Sequence, residues 1–354
     1  MKKKLLAAAV AAVVAAPGAA QAEVKISGLM DLSYNFIDND TTGAAVDGEA
    51  HHISSNNSRL IFKGSEDLGG GLKAIWQVGS VIAVDAGGAT LNSRNTFIGL
   101  VDDWGQVRLG RHETPYKMVG RKVDLFDNRQ LGENRILVTP NAGFSPSPVF
   151  SQDKRAPNSA NYFTPVINGF QGAIAYLPEE GIDDGDAWSL SAGYTNGPLY
   201  LALGYEVVNE GYFGATEEVE GLRLAGSYKF GDFRVVGMYQ DVSDDLGVSG
   251  NDWDVWGLGG AYTFGNNTIK GQYYDRDGDN AISNQDASMF SIGLDHKFSK
   301  RTKLYVTYAR VDNENGARFT VNSQGFDQGN NNTGAGVGFG DDSSGLAIGL
   351  SHKF

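Results

Sequence analysis

From residue 23 onward, apolar and polar residues take turns along the chain. Val24, Ile26, Gly28, Met30, Leu32, Tyr34 and Phe36 share one face of an extended backbone, and Lys25, Ser27, Leu29, Asp31, Ser33 and Asn35 share the other. A period of two puts successive side chains on opposite faces, so this segment reads as one long β-strand. The pattern returns in Leu199/Leu201/Leu203/Tyr205/Val207 and in Leu222/Leu224/Gly226/Tyr228/Phe230. Helical i, i+3, i+4 stripes are missing, and no stretch after residue 22 reaches 18 apolar residues, so the sequence excludes helical membrane spans. Two folds remain: a soluble β-sandwich, and a barrel with lipid outside and water inside.

The repeats separate these two. Ala225–Phe230, Gly259–Phe264, Ser291–Phe298 and Ala347–Phe354 are alike, and Phe230, Phe264 and Phe298 follow one another at 34-residue steps. Each unit reads as a hairpin. Seven short turns, among them 68–71, 102–105, 231–232 and 299–302, alternate with eight longer polar loops at 38–52, 80–93, 112–154, 178–186, 208–218, 242–252, 276–286 and 311–342. Fifteen connections predict 16 strands, with both termini on the short-turn side. That asymmetry matches a membrane barrel of the bacterial outer membrane, with short periplasmic turns and long outer loops. Sixteen strands exceed one sandwich, and aromatics end the apolar faces at Tyr228/Phe230, Tyr262/Phe264, His296/Phe298 and His352/Phe354. Rings at those positions predict the girdle at a lipid–water boundary.

Composition agrees. The chain has no Cys, which removes disulfide scaffolds, zinc-thiolate sites and thiol catalysis. Lys2–Lys4, the apolar run Leu5–Ala16 and Ala20-Gln21-Ala22 read as a cleaved export signal over 1–22, leaving one barrel domain over 23–354. Loss of the leader's three lysines takes the net charge from −13 to −16. So acidic a chain is expected to repel phosphate backbones, and no nucleic-acid partner is expected.

Gly64-Ser65-Glu66-Asp67-Leu68-Gly69-Gly70-Gly71-Leu72-Lys73-Ala74, Phe97–Leu100, Val107-Arg108-Leu109-Gly110-Arg111, Thr114–Lys117 and Arg155–Ser159 with Tyr162 resemble, in this order, the general porins of Gram-negative bacteria, closest to the proteobacterial and neisserial branch. The resemblance covers essentially all of 23–354. It implies a 16-stranded antiparallel transmembrane barrel, a homotrimer in the outer membrane, and a third loop folded into the lumen as a constriction. It further implies passive diffusion of ions and small hydrophilic solutes, no cofactor, and a C-terminal Phe354 read by the barrel assembly machinery.

The loop 112–154 is the longest connection and has no regular period, which marks a functional or a disordered segment. It carries Asp124, Asp127 and Glu133 beside Arg121, Lys122, Arg129 and Arg135. The resemblance sets loop acids against a basic wall, mapped motif by motif onto Arg59, Arg111 and Arg155. Strand parity turns Arg59 inward with Lys63, whereas Arg111 shares the lipid-side parity of Val107 and Leu109. Three acids against three bases predict weak ion selectivity in concentrated salt, with acidic outer loops attracting cations when salt is dilute. His51-His52 lacks a third metal ligand at suitable spacing, and Asp275–Asn280 lacks the terminal Glu of a calcium loop, so no metal is expected. A solute-specific channel needs an aromatic track beyond Tyr116 and Phe126. A barrel hydrolase needs a nucleophile–base pair that the five His do not supply. An adhesin acting through its loops is the remaining alternative.

Overall fold

The computed structural model describes residues 23–40, 48–87, 89–139, 152–179, 185–278, 285–321 and 337–354. The expected export signal over 1–22 lies outside them. The strands are β1 (Glu23–Asn39), β2 (Ala50–Ser55), β3 (Arg59–Gly69), β4 (Leu72–Ile82), β5 (Ala89–Thr90), β6 (Thr96–Asp102), β7 (Gly105–Glu113), β8 (Arg155–Phe163), β9 (Phe170–Pro178), β10 (Asp186–Asn196), β11 (Leu199–Val208), β12 (Val219–Phe230), β13 (Phe233–Ser243), β14 (Trp253–Phe264), β15 (Asn267–Asp277), β16 (Ala287–Lys297), β17 (Thr302–Asn313) and β18 (Ser343–Lys353). Two short helices, α1 (Pro115–Gly120) and α2 (Arg135–Val138), lie between β7 and β8.

Every pairing between neighbouring strands is antiparallel, and the sheet closes on itself. β18 pairs with β1 from Leu29↔Lys353 to Asn39↔Ser343. β2 and β3 both pair with β1, one above the other, so they form one wall position interrupted at 56–58. β5 is a two-residue addition to β4, which also pairs directly with β6. The wall therefore has the 16 strands expected from the sequence. Closure removes the exposed edges that an open sheet this wide would present.

The core is inverted relative to a soluble protein. Leu201, Leu203, Leu224, Leu258, Ile292 and Leu350 point outward and are exposed. The alternate residues Arg223, Gln240, Gln272, Ser291 and Thr307 are buried inside. A continuous aliphatic belt of this size is unfavourable in water and favourable against lipid tails. Rings bound the belt. At the turn end, Phe233 stacks on Tyr262 at 4.5 Å between centroids and on Phe230 at 5.6 Å. At the loop end, Tyr176 meets Trp188 at 4.6 Å and Trp256 meets Tyr273 at 5.5 Å.

The seam rests on the terminal residue. Gly28 donates its backbone N–H to the Phe354 carbonyl at 3.0 Å, and Phe354 N–H returns the bond at 3.2 Å. The Phe354 ring lies over Gly28, where a Cβ would sit 2.3 Å from it, so only glycine fits there.

Candidate functional site

The chain between β7 and β8 enters the barrel and lies along one side of the lumen. Thr114 starts α1 by accepting the Lys117 N–H at 3.3 Å on its hydroxyl, and Pro115 supplies a first-turn φ that needs no donor. Tyr116 N–H donates to Ser189 Oγ of β10 at 3.0 Å, and Tyr200 Oη of β11 donates to the Val119 carbonyl at 3.2 Å. Further on, Leu125 N–H donates to Gln272 Oε1 of β15 at 3.1 Å, and Ser291 Oγ of β16 donates to the Gly132 carbonyl at 2.8 Å. Arg129 Nε then reaches Asp31 of β1 at 2.7 Å. The loop thus lines the wall from β10 round to β1, leaving the passage against β2–β8. Small residues make its seat. At Gly259 a Cβ would stand 2.9 Å from Leu125, and at Gly204 it would stand 3.2 Å from Tyr116.

A buried ion cluster staples the returning end. Asp153 receives Arg223 Nη1 at 2.6 Å, Lys117 Nζ at 3.0 Å and Arg135 Nε at 3.2 Å. Burial alone would push the Asp153 carboxyl up, but Lys117, Arg223 and Arg135 outweigh it and hold the group well below the usual carboxylate range. Arg223 also stacks over Tyr116, at 4.3 Å from the ring centroid. Arg276 donates to the carbonyls of Leu137 and Thr139 at 2.8 and 3.2 Å, which satisfies the end of α2.

Across the passage stands an arginine wall. Arg59 and Arg155 are half-buried, and Arg94 is buried with them. Asn57 ties wall to loop: its side chain accepts from Arg94, its carbonyl accepts from Arg59 at 3.2 Å, and its amide donates to the Asn128 carbonyl at 3.4 Å. Arg155 Nε donates to Asn95 at 3.0 Å, and its Nη2 meets Glu113 at 2.5 Å. Glu113 also pairs with Arg121 of the loop. A cavity of about 600 Å³ is lined by Glu113, Arg121, Lys122, Asp124 and Asp127 of the β7 end and loop and by Thr195 and Arg234 of the wall.

The sequence-derived residues divide. Arg59 and Arg155 stand together on the wall. Asp127 faces the passage, paired with Lys303 at 2.6 Å and Arg129 at 2.9 Å. Asp124 also lines that cavity, but among the described residues it makes no ion pair. It is buried and accepts from Asn128 N–H at 2.5 Å, Asn134 N–H at 3.0 Å and Gln272 at 3.0 Å, so it folds the loop. Burial pushes its carboxyl up, as expected of an acid without a cation. Glu133 is fully buried in the loop. Arg111 stands apart beside a bulge between Gly110 and His112, lining a different cavity with Ser93, Thr96 and Asn158. Among the described residues it has no ion pair. Tyr116 and Phe126 are fully buried against the wall and form no aromatic track along the passage.

Arg94 and Glu113 were not expected. Arg94 had a legible signal: Asn57-Ser58-Arg59 and Asn92-Ser93-Arg94 are the same tripeptide, and both asparagines take left-handed φ, 59° and 55°. Glu113 had none, because its role depends on Arg155, 42 residues away.

A profile of the Gram-negative porin matches residues 7–316. This chain belongs to the Gram-negative porin family. Over its whole length it is 29% identical to the whole of outer membrane porin protein 32 of Delftia acidovorans. It is 35% identical to major outer membrane protein P.IA of Neisseria meningitidis serogroup B over 127 residues, 36% of this chain and 30% of the other. Among solved structures, an anion-selective porin from Comamonas acidovorans aligns with TM-score 0.78 at 25% identity, over 94% of this chain and all of that one. The porin is thus an outer-membrane barrel with a water-filled channel for passive diffusion of ions and small hydrophilic solutes, in a family of channels rather than enzymes.

Proposed function

We propose that the loop between β7 and β8 sets the width and ion preference of this channel, and that the narrow zone favours anions. The supporting observation is the cluster of Arg59, Arg94 and Arg155 facing the loop's Arg121 and Lys122, with Glu113, Asp124 and Asp127 as the acids among them. Glu133 is buried in the loop, and Asp124 is taken up by loop N–H groups and Gln272, so the bases outnumber the acids left to face the ion. The anion selectivity named for the Comamonas porin supports the same sign. Coulomb interactions at a constriction act within a few ångströms of the ion, where salt screens them little. The reversal potential across a salt gradient tests this: anion preference should persist at about 1 M salt, where the Debye length is about 3 Å. Cation preference in concentrated salt would overturn it.

The mature protein is a single barrel over 23–354, exported after removal of 1–22, and its working form is a homotrimer. Family membership supports the trimer. So does the aliphatic outward face of β1, β6 and β7, where Val24, Ile26, Ile98 and Leu109 are more than half exposed. Phe354, at the end of the closing strand, is the group that barrel assembly machinery reads.

A further inference from the structure

We infer that the periplasmic vestibule of this channel is a binding site for compact multivalent oxyanions, such as oligophosphates and small polycarboxylates. The inference goes beyond the loop's ion preference and does not depend on it, since the site is built mainly from the barrel wall and its turns on the periplasmic side of the loop.

The underside of the loop roofs a cavity of about 370 Å³, walled by the periplasmic ends of β12–β18 and by the turns after β12 and β16. That volume suits a small solute. Three of its cations, Arg129, Lys270 and Lys303, are already bound to Asp127 or Asp295 at 2.6–3.0 Å. Six more, Lys229, Arg234, Lys297, Lys300, Arg301 and Lys353, line it with no carboxylate at ion-pair distance among the described residues. All of the short turns at this end belong to the described residues.

Strand parity aims these cations. Lys229 alternates with Tyr228 and Phe230, and Arg234 with Phe233 and Val235. All four neighbours are exposed on the lipid side, so both cations point into the lumen. Lys297 and Lys353 precede the outward Phe298 and Phe354 in the same way. The rest of the lining is chiefly Ser and Thr hydroxyls, with Leu125 and Ala261 the apolar residues and no aromatic ring. Such a surface suits a charge-dense ligand and offers nothing to a large apolar or stacking group.

The register gives a second, independent reason. Direct cross-strand partners stand about 5 Å apart at Cβ, and like charges there destabilise the sheet. Lys229 and Arg234 are such partners on β12 and β13, and Lys297 and Lys303 on β16 and β17. Lys303 is offset by Asp127 and Asp295. The first pair has no such acid, and Asp232 in the turn beside it makes no ion pair among the described residues. An anion with two or more charges meets both members of a pair at once, which a chloride ion cannot do. Arg234 and Arg301 add guanidinium forks that fit phosphate or carboxylate oxygens.

Calorimetry on the detergent-solubilised porin tests this, with inorganic tripolyphosphate and citrate as separate titrants. In about 0.1 M salt each should bind saturably, and binding should fade near 1 M as the Debye length drops from about 10 to 3 Å. Binding of both anions fits the class as stated, and binding of tripolyphosphate alone narrows it to oligophosphates. A variant with Lys229→Gln, Lys297→Gln, Lys300→Gln and Arg301→Gln should weaken tripolyphosphate about tenfold, the product of four modest, screened contacts. If it fails to fold, Lys229→Gln with Arg234→Gln should weaken binding about threefold. Arg155→Ser, on the arginine wall, should change it little. No saturable binding, binding indifferent to the vestibule variants, or binding lost with Arg155→Ser alone would overturn the inference. The reversal potential keeps this site apart from the loop's role. Cation preference in concentrated salt with tripolyphosphate binding intact would overturn the loop proposal and leave the site, and anion preference without binding would do the reverse.

Discussion

At the scale of single residues, position relative to the passage matters more than charge type. Asp124 and Asp127 are three positions apart, yet one is spent on backbone N–H groups and the other on Lys303 and Arg129. Arg59→Ser should raise cation preference at every salt concentration, since it removes a charge beside the permeating ion. Arg111→Ser should shift the reversal potential much less, and equal shifts would move Arg111 back to the constriction. Phe354 has two separable roles: its backbone closes the seam, and its ring end is the proposed assembly signal. Deleting Phe354 should lower the folded protein in the outer membrane far more than Phe230→Ala, while refolding of the deletion variant in detergent, where no machinery acts, should fall only moderately. Equal losses in both settings would leave Phe354 a seam residue only.

At the scale of elements, the loop is held by its wall rather than by its own secondary structure, since α1 and α2 span only six and four residues. Removing one partner of a buried ion cluster costs about 3–5 kcal/mol, because the remaining charges stay buried. Asp153→Asn should therefore free the returning end of the loop, raising both single-channel conductance and its noise. The cluster's pH dependence follows from its direction of shift. The folded-state carboxyl of Asp153 lies below its ordinary value near 3.9. Its contribution is then complete above about pH 5 and disappears only as pH falls through the depressed value. Conductance steps should stay uniform down to about pH 4 and become heterogeneous in stronger acid; uniform steps in strong acid would mean that Asp153 does not hold the loop. Burial, with Arg135 nearby, draws the Lys117 ammonium down to about 7, so above that pH Arg223 and Arg135 carry the staple. Gly259→Val should have a related effect by overpacking Leu125, at about 1–3 kcal/mol of loop docking.

At the scale of the whole molecule, the barrel inverts the usual solution: apolar belt outside, hydrogen-bonded polar wall inside, no free edge. Such a wall offers no strand for another subunit to pair with, so assembly must use side chains of the lipid face. Light scattering in mild detergent should report three times the monomer mass, and Ile98→Lys with Leu109→Lys should reduce it to one. A wild-type species of monomer mass would count against the trimer.

Strand number, the alternation of loops and turns, and the lipid-facing set were legible in the sequence. Each depends on a local period of two, and that period survives any arrangement of the strands. The same parity turned Arg59 inward and gave Arg111 a lipid-side position. Parity was silent within 114–139 and at 152–154, where there is no strand to count along. There the tertiary structure decided that Asp124 caps the loop, that Glu113 joins Arg155, and that Arg94 stands with Arg59. These contacts join residues 35 to about 150 positions apart, and their energy comes from geometry that forms only once the barrel has closed.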